Sequence, residues 1–396
     1  MGSEIVTVYA DEQPPNYWDA SVFLAGPRLR PHAPGAMSWQ SEAIILLRDK
    51  WAADGRLVVF IPEPRNGSRS QFVGQGIGSE NCAIQLADVV MFWWPSDTDS
   101  HLTCINTLWG EWNDNRCVVV GIPADVPESR YLLSYATTHA LSAATTLADA
   151  VQAVLNMIGQ GARRVDGECD VPLPIWQADS FQRWHTSQGA AGNTMLGARQ
   201  VWTFSIGPDD QSLLYWALHV RMYVAAEDRV KSNEVVISRP DISVVALYRR
   251  STTLEDTIIV LVREFRSPAS TPDGFVHELP GGSGTSSTDA LEQAASETKE
   301  ETGLTIDIKR IRTHGSRQLT ATLSAHHALL FSAEITAGEL EQLRATRTKP
   351  HGAAGTERTW IEVTTFGEIQ RKLLVDWATL GMIAQVLLSG TSQLPP

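Results

Sequence analysis

The chain has 396 residues, a 43% apolar share and a formal charge of −13. That length supports two or three domains with sizeable cores, and the acidic balance disfavours nucleic acid or an anionic membrane as a partner. There is no apolar run of 18 residues and no charged-then-apolar leader, so a soluble cytoplasmic protein is expected. Cys82, Cys104, Cys117 and Cys169 lie far apart, with no CxxC and no histidine at zinc-like spacing, which points to free thiols.

Taken in order, residues 1–20 carry Pro14-Pro15 and one short strand over 4–9. Residues 21–27 form an apolar strand ending in Gly26-Pro27, and Ser38 caps a helical pattern that follows. Residues 57–62, 84–94 and 117–121 read as further apolar strands with helices between them, closed by a helix over 147–158. Strands that are apolar throughout and alternate with helices imply a doubly wound parallel sheet in an α/β domain spanning 1–158. Ligands in such sheets lie beyond the carboxyl ends of the strands. That places Gly26, Pro27, Arg28, Asp97 and the loop 62–65 around one crevice, although turn chemistry alone also explains these residues.

Phe23-Leu24-Ala25-Gly26-Pro27, Ile61-Pro62-Glu63-Pro64-Arg65 and Ala87-Asp88-Val89-Val90-Met91-Phe92-Trp93-Trp94-Pro95, in this order, resemble the nucleoside 2-deoxyribosyltransferase-like family. The resemblance covers about residues 20–158 and implies nucleotide or nucleoside binding, with Asp88 contacting the sugar. Relatives attack the anomeric carbon with a glutamate two residues before a glycine, but Leu108 stands two before Gly110 here. Two alternatives follow. Glu111, one turn on, has taken over an N-glycosidase role, or the domain binds without chemistry.

Residues 159–198 turn to Gly, Ala, Arg and Ser with isolated aromatics and are expected to be a linker, with Trp176 and Trp184 resting on a domain surface. Alternating patterns over 201–206, 214–220, 242–249 and 257–263 then predict one sheet belonging to a second domain, 199–396. At its centre Glu278-Leu279-Pro280-Gly281-Gly282 leads to a helix expected over about 290–302, with Asp289 as N-cap and Gly303 as its left-handed end. Leu291, Ala295, Thr298 and Thr302 fall on one stripe. Glu297, Glu300 and Glu301 fall on another, where they form either a solvated acidic face or an oxygen-only site for Mg²⁺ or Mn²⁺.

The diglycine, the helix and Glu300-Glu301-Thr302-Gly303-Leu304 together resemble the Nudix box: Gly, five residues, Glu, seven residues, Arg-Glu, an aliphatic, any residue, Glu-Glu, any residue, Gly, an aliphatic. Glu297, Glu300, Glu301, Gly303 and Leu304 fall in place from Gly282. Thr288 stands where the first Glu belongs, and Ser296 where the Arg belongs that orients a glutamate by ion pairing in the family. The resemblance implies an α+β domain with a mixed sheet between helices. It also implies Glu297, Glu300, Glu301 and the Gly282 carbonyl as metal ligands, with Glu300 and Glu301 catalytic.

Residues 262–268, leading into Glu278-Leu279-Pro280, resemble the branch that cleaves ADP-ribose and nucleoside diphosphate sugars, with Arg263, Arg266 and Glu278 as substrate contacts; ordinary strand-end charges are the alternative. Further strands are expected at 306–311, 326–331 and 359–363, with His326 and His327 on a strand and not on a metal. Glu357, with Glu339 behind it, is by the same resemblance the candidate acid that completes the metal site or activates water, with a solvated loop acid as the alternative, and one amphipathic helix over 366–388 closes the chain. The partner expected is a small nucleotide, either hydrolysed or bound as a signal by a silent sensor. A homodimer is left open.

Overall fold

The computed structural model describes residues 2–26, 37–65, 83–95, 117–126, 129–139, 141–206, 212–283, 289–352 and 358–389. The chain divides into two compact units, Met1–Val236 and Ile237–Pro396.

The first unit opens with β1 (Glu4–Tyr9), β2 (Tyr17–Trp18), β3 (Ala20–Ala25), α1 (Trp39–Lys50), β4 (Arg56–Ile61), β5 (Val89–Trp93), β6 (Val118–Gly121), α2 (Ser129–Thr138), β7 (Ser142–Ala144) and α3 (Leu147–Ile158). Six of these strands pair in the order β1-β4-β3-β5-β6-β7, every pairing parallel. The strands are apolar throughout because both faces are covered. Val22, Leu24, Val59, Met91 and Val119 pack with residues of α1 and α3, while Phe23, Ala25, Phe60, Val90 and Val120 pack into a second core with Ala136 of α2. Ser38 caps α1 by accepting from the Ser41 N–H at 3.2 Å, as its position before the helical pattern predicts.

The stretch 159–198 is folded, and it corrects the expected linker. β8 (Arg164–Val165) pairs antiparallel with β2, and a 3-10 turn (Asp166–Asp170), α4 (Leu173–Trp176) and α5 (Asp179–Ala190) follow. Val171, Ile175, Trp176, Phe181, Trp216, Leu218 and Val220 share one buried core. Trp176 is therefore interior, and Trp184 packs against that core. Gly159, Gly161 and Gly192 take positive φ at turns between elements, whereas Ser180 and Ser187 lie within α5; the scattered aromatics carry the burial. β9 (Thr194–Ile206), β10 (Ser212–Val224) and β11 (Arg229–Ser238) form their own three-stranded sheet, ordered β11-β10-β9, and do not extend the sheet of the second unit. Strand alternation reports which face is buried but not which sheet a strand joins.

The second unit contains β12 (Ile242–Arg249), β13 (Ile258–Phe265), β14 (Phe275–Glu278), β15 (Gly281–Ser283), α6 (Ala290–Thr302), β16 (Arg312–Gln318), β17 (His327–Glu334), α7 (Ala337–Thr346), β18 (Thr359–Thr365), α8 (Phe366–Lys372) and α9 (Trp377–Ser389). Its seven-stranded sheet runs β14-β13-β12-β17-β16, with β15 on β12 and β18 on β13. β12 and β17 are parallel while the other pairs are antiparallel, so the sheet is mixed. One face packs Val244, Ala246, Leu261 and Leu330 with Ile383 and Val386 of α9; the other packs Val245, Leu247, Val260 and Phe331 with Ala294 of α6. Residues 306–311 hold only a 3-10 turn (Ile308–Arg310), and the closing helix breaks at Leu373, whose φ is 52°. Among the described residues no helix is long and apolar enough to cross a membrane.

Candidate functional site

α6 runs over the predicted residues, capped by Asp289 accepting from the Leu291 N–H at 2.7 Å and ended by Gly303 at φ 69°. Its buried side is Ala294, Thr298, Glu301 and Thr302. Ala294 thus replaces Ala295 in the expected stripe, and Glu301 turns inward. The two threonines close their hydroxyls onto the carbonyls of Ala294 and Thr298, so they fill the interior without an unmet donor.

The last turn of α6 is clipped to the diglycine. Glu301 is 5% exposed, and its Oε2 accepts the Gly281 N–H at 2.9 Å. β15 lies on β12 so closely that a Cβ at Gly281 would sit 2.4 Å from the Ser243 carbonyl oxygen. A Cβ at Gly282 would sit 2.5 Å from the Glu297 carboxyl carbon, so the second glycine makes room for that acid. Glu297 also accepts a hydrogen bond from the Gln293 amide.

Burial first, and then the charges of Glu297, Glu278 and Glu264, push the Glu301 carboxyl up to about 8 against the lowering effect of the Gly281 N–H. Four carboxylates therefore share one electrostatic neighbourhood. Arg266 bridges two of them, reaching Glu264 at 2.8 Å and Glu278 at 3.1 Å. Glu264 is a member that the sequence reading missed. The signal was present in β13, where Val260, Val262 and Glu264 alternate along one face and the acid ends an otherwise apolar row. Glu300 is exposed and is not among the carboxylates acting on Glu301; its carbonyl accepts the Gly352 N–H at 3.1 Å. Ser296 is exposed as well.

Among the described residues, no three carboxylate, imidazole or thiol groups converge as a ready-made metal ligand set. The donor chemistry nevertheless suits a hard cation: the neighbouring groups are all oxygen donors, and the buried carboxyl lacks enough positive charge to ionise readily.

Arg263 lies apart from Arg266. On β13 it alternates to the opposite face, pairs with Asp273 at 2.7 Å and covers the Phe275 ring at 3.9 Å. Glu339 is committed elsewhere: it completes a capping box with Thr336 and pairs with Arg310 at 2.6 Å, which holds its carboxyl down at about 2. That removes it as an understudy to Glu357, which lies outside the described residues along with Thr288. His327 begins β17 as expected, and the His326 ring meets the Ser324 hydroxyl at 2.6 Å.

In the first unit Gly26 ends β3 at φ 157°, where a Cβ would lie 2.2 Å from the Trp93 carbonyl oxygen. With Phe92, Trp94, Val120 and Leu132 it lines a small apolar pocket at the carboxyl ends of β3, β5 and β6, the end where the sequence reading placed a crevice. Arg65, in the loop after β4, pairs with Glu12. Pro27, Arg28, Asp97, Leu108 and Glu111 lie outside the described residues.

Asp88 is at the other end of β5 and is fully engaged. Oδ1 accepts from Arg164 Nη1 (2.6 Å) and the Leu173 N–H (2.9 Å); Oδ2 accepts from Arg164 Nη2 (2.5 Å) and from the N–H and hydroxyl of Ser21 (2.8 and 2.9 Å). At 3% exposure, with five donors on two oxygens, it has no lone pair left for a sugar hydroxyl, which corrects its expected role. Arg164, wholly buried, is the partner that a Gly- and Arg-rich stretch concealed.

No protein-family model matches the sequence and no curated protein matches it significantly, so the two resemblances rest on their motifs and on this geometry.

Proposed function

We propose that the second unit is a Nudix-type hydrolase, dependent on Mg²⁺ or Mn²⁺, that cleaves the diphosphate of a nucleoside diphosphate derivative of the ADP-ribose or sugar-nucleotide class. The observation that carries this reading is Glu301: a buried carboxyl, clipped to the diglycine and ringed by three other acids, in a helix ending Glu-Glu-Thr-Gly-Leu. Glu297, Glu301 and the Gly282 carbonyl would hold the metal, with Glu300 reaching it from the exposed side of the same turn. A bound divalent ion would offset charge growing on phosphorus and acidify the attacking water. Gly281 orients Glu301 through its N–H, Gln293 steadies Glu297, and Arg266 and Glu278, both partly exposed, would contact the diphosphate. Glu357 or Glu300 would take the proton from water.

The first unit, in this reading, has a deoxyribosyltransferase-like fold and binds a nucleotide or nucleoside without acting on it. Asp88, spent on Arg164, Leu173 and Ser21, offers a sugar no contact in either case; Leu108 at the nucleophile position is what favours binding over glycosidic chemistry. An active N-glycosidase would instead free a base from a nucleoside monophosphate and lose that activity in Glu111→Ala. A second reading of the whole chain is a silent nucleotide sensor, favoured by the exposed Ser296, which supplies no cation to orient a catalytic glutamate.

One assay separates these readings. With Mg²⁺ and a panel of ADP-ribose, sugar nucleotides and nucleoside monophosphates, the wild type should release phosphate monoesters and Glu301→Gln should release none. An inert wild type that still binds a member of the panel is a sensor.

A further inference from the structure

The four-acid neighbourhood raises the question of what neutralises it before a metal arrives. α6 supplies only Lys299, which is exposed, and Ser296 supplies nothing. The positive charge comes from another element. Arg266 follows β13, and its backbone is fixed by the β13–β14 hairpin, where its N–H meets the Gly274 carbonyl at 3.1 Å and its carbonyl accepts the Ala269 N–H at 2.9 Å. From that anchor its guanidinium spans Glu264, whose side chain is 9% exposed, and Glu278, which is 37% exposed. Its own side chain remains 44% exposed, open to a ligand arriving from solvent.

Resting on the hydrolase reading above, we infer that Arg266 is the resident counter-ion of Glu264 and Glu278, displaced from them when a divalent cation enters and thereby freed to grip a phosphate of the substrate. A planar guanidinium forks onto carboxylates and phosphates with the same geometry, so one side chain serves both partners in turn. A cation held by Glu297 and Glu301 sets a second positive charge beside Arg266 and competes with it for the negative charge of Glu264 and Glu278, so the four acids cannot serve both in full at once. The ion pairs therefore lower apparent metal affinity by the fraction of molecules in which they are closed, and metal binding raises the share of Arg266 available to phosphate. Binding is ordered as a result, with metal before diphosphate. Arg266 is a positioning residue for Glu264 and Glu278 in the metal-free state and a substrate contact in the loaded one.

The sign of the test is unusual for a site mutation. In the full-length protein, titrated with Mn²⁺ alone and followed by calorimetry or by the spin signal of free Mn²⁺, Arg266→Gln should bind the ion about three- to tenfold more tightly than wild type, the range expected for losing two competing, partly exposed ion pairs. At saturating Mn²⁺ the same variant should show a raised KM for ADP-ribose with a smaller change in kcat. Arg266→Lys keeps the charge but not the fork and should bind Mn²⁺ with intermediate affinity; it carries the test if the glutamine variant does not fold. Damage to the site would weaken metal binding, so Mn²⁺ affinity equal to or below wild type in both variants overturns the inference while leaving the hydrolase reading standing. A wild type that takes up no Mn²⁺ and cleaves nothing overturns the reading, and the inference falls with it.

Discussion

The Glu301 carboxyl sits near 8, against 4.5 for an ordinary glutamate, chiefly because it is buried. Between those values the folded chain holds a proton that the unfolded chain has released, so stability is full below about 4.5 and falls as pH rises through about 8, by on the order of a few kcal/mol. The metal-free protein should therefore melt at progressively lower temperature from pH 5 to pH 9. Glu301→Gln should flatten that slope, and a slope unchanged in the variant would remove Glu301 as its source. Gly282 gives a second residue-scale prediction. An alanine Cβ there meets the mobile end of Glu297, not backbone, so the fold can yield while the acid cannot keep its place. Gly282→Ala should shift Tm by only a few degrees yet weaken Mn²⁺ binding tenfold or more, measured by titration. Neither effect could be read from the Nudix-like pattern alone, which marks the residues but not which carboxylate is interior.

At the scale of elements, β3, β5, β8 and α4 are tied together by one buried ion pair. Asp88 precedes β5, Arg164 lies on β8, Ser21 on β3 and Leu173 begins α4. Replacing one partner leaves the other charged and dry, so Asp88→Asn or Arg164→Met should each destabilise the first unit by about 3–5 kcal/mol, whereas a paired apolar replacement should recover much of that. Chemical denaturation of the two single variants and the double variant checks this, and additive losses would show that the residues do not act as a pair. The elements themselves were largely legible. Ser38, Asp289 and Gly303 mark helix ends through local backbone chemistry, and the 4–9, 147–158 and 290–302 elements lie where the pattern puts them. The misread segments are those where local pattern is ambiguous. Residues 306–311 alternate like a strand but are spent on a 3-10 turn, and Leu373 breaks a helix that no Gly or Pro announces.

At the scale of the whole molecule, each hydrophobic cluster formed by the described residues lies within one of the two units. Separate cores imply separate cooperative unfolding. Calorimetry should resolve two transitions. Phe181→Ala, which empties a fully buried site beside Trp216, should lower one by an amount equivalent to about 3–5 kcal/mol. Leu330→Ala, in the second unit, should lower only the other. A single transition shifted by both variants would show that the units unfold as one.

By itself the sequence determined what depends on neighbours along the chain: helix caps, the alternation of buried strands, the diglycine turn, and the acidic helix that carries Glu297, Glu300 and Glu301. It also contained the two motif resemblances, because these are strings of local positions. Only the tertiary structure decided what depends on residues distant in sequence. It joined β9 and β10 to the first unit, gave Asp88 to Arg164 across 76 positions, brought Glu264 and Glu278 to Glu301, and set Arg263 and Arg266 on different partners. The physical reason is that propensity and periodicity state which face of an element is buried, whereas the partner of a buried charge is fixed by the packing of elements that the chain brings together only on folding.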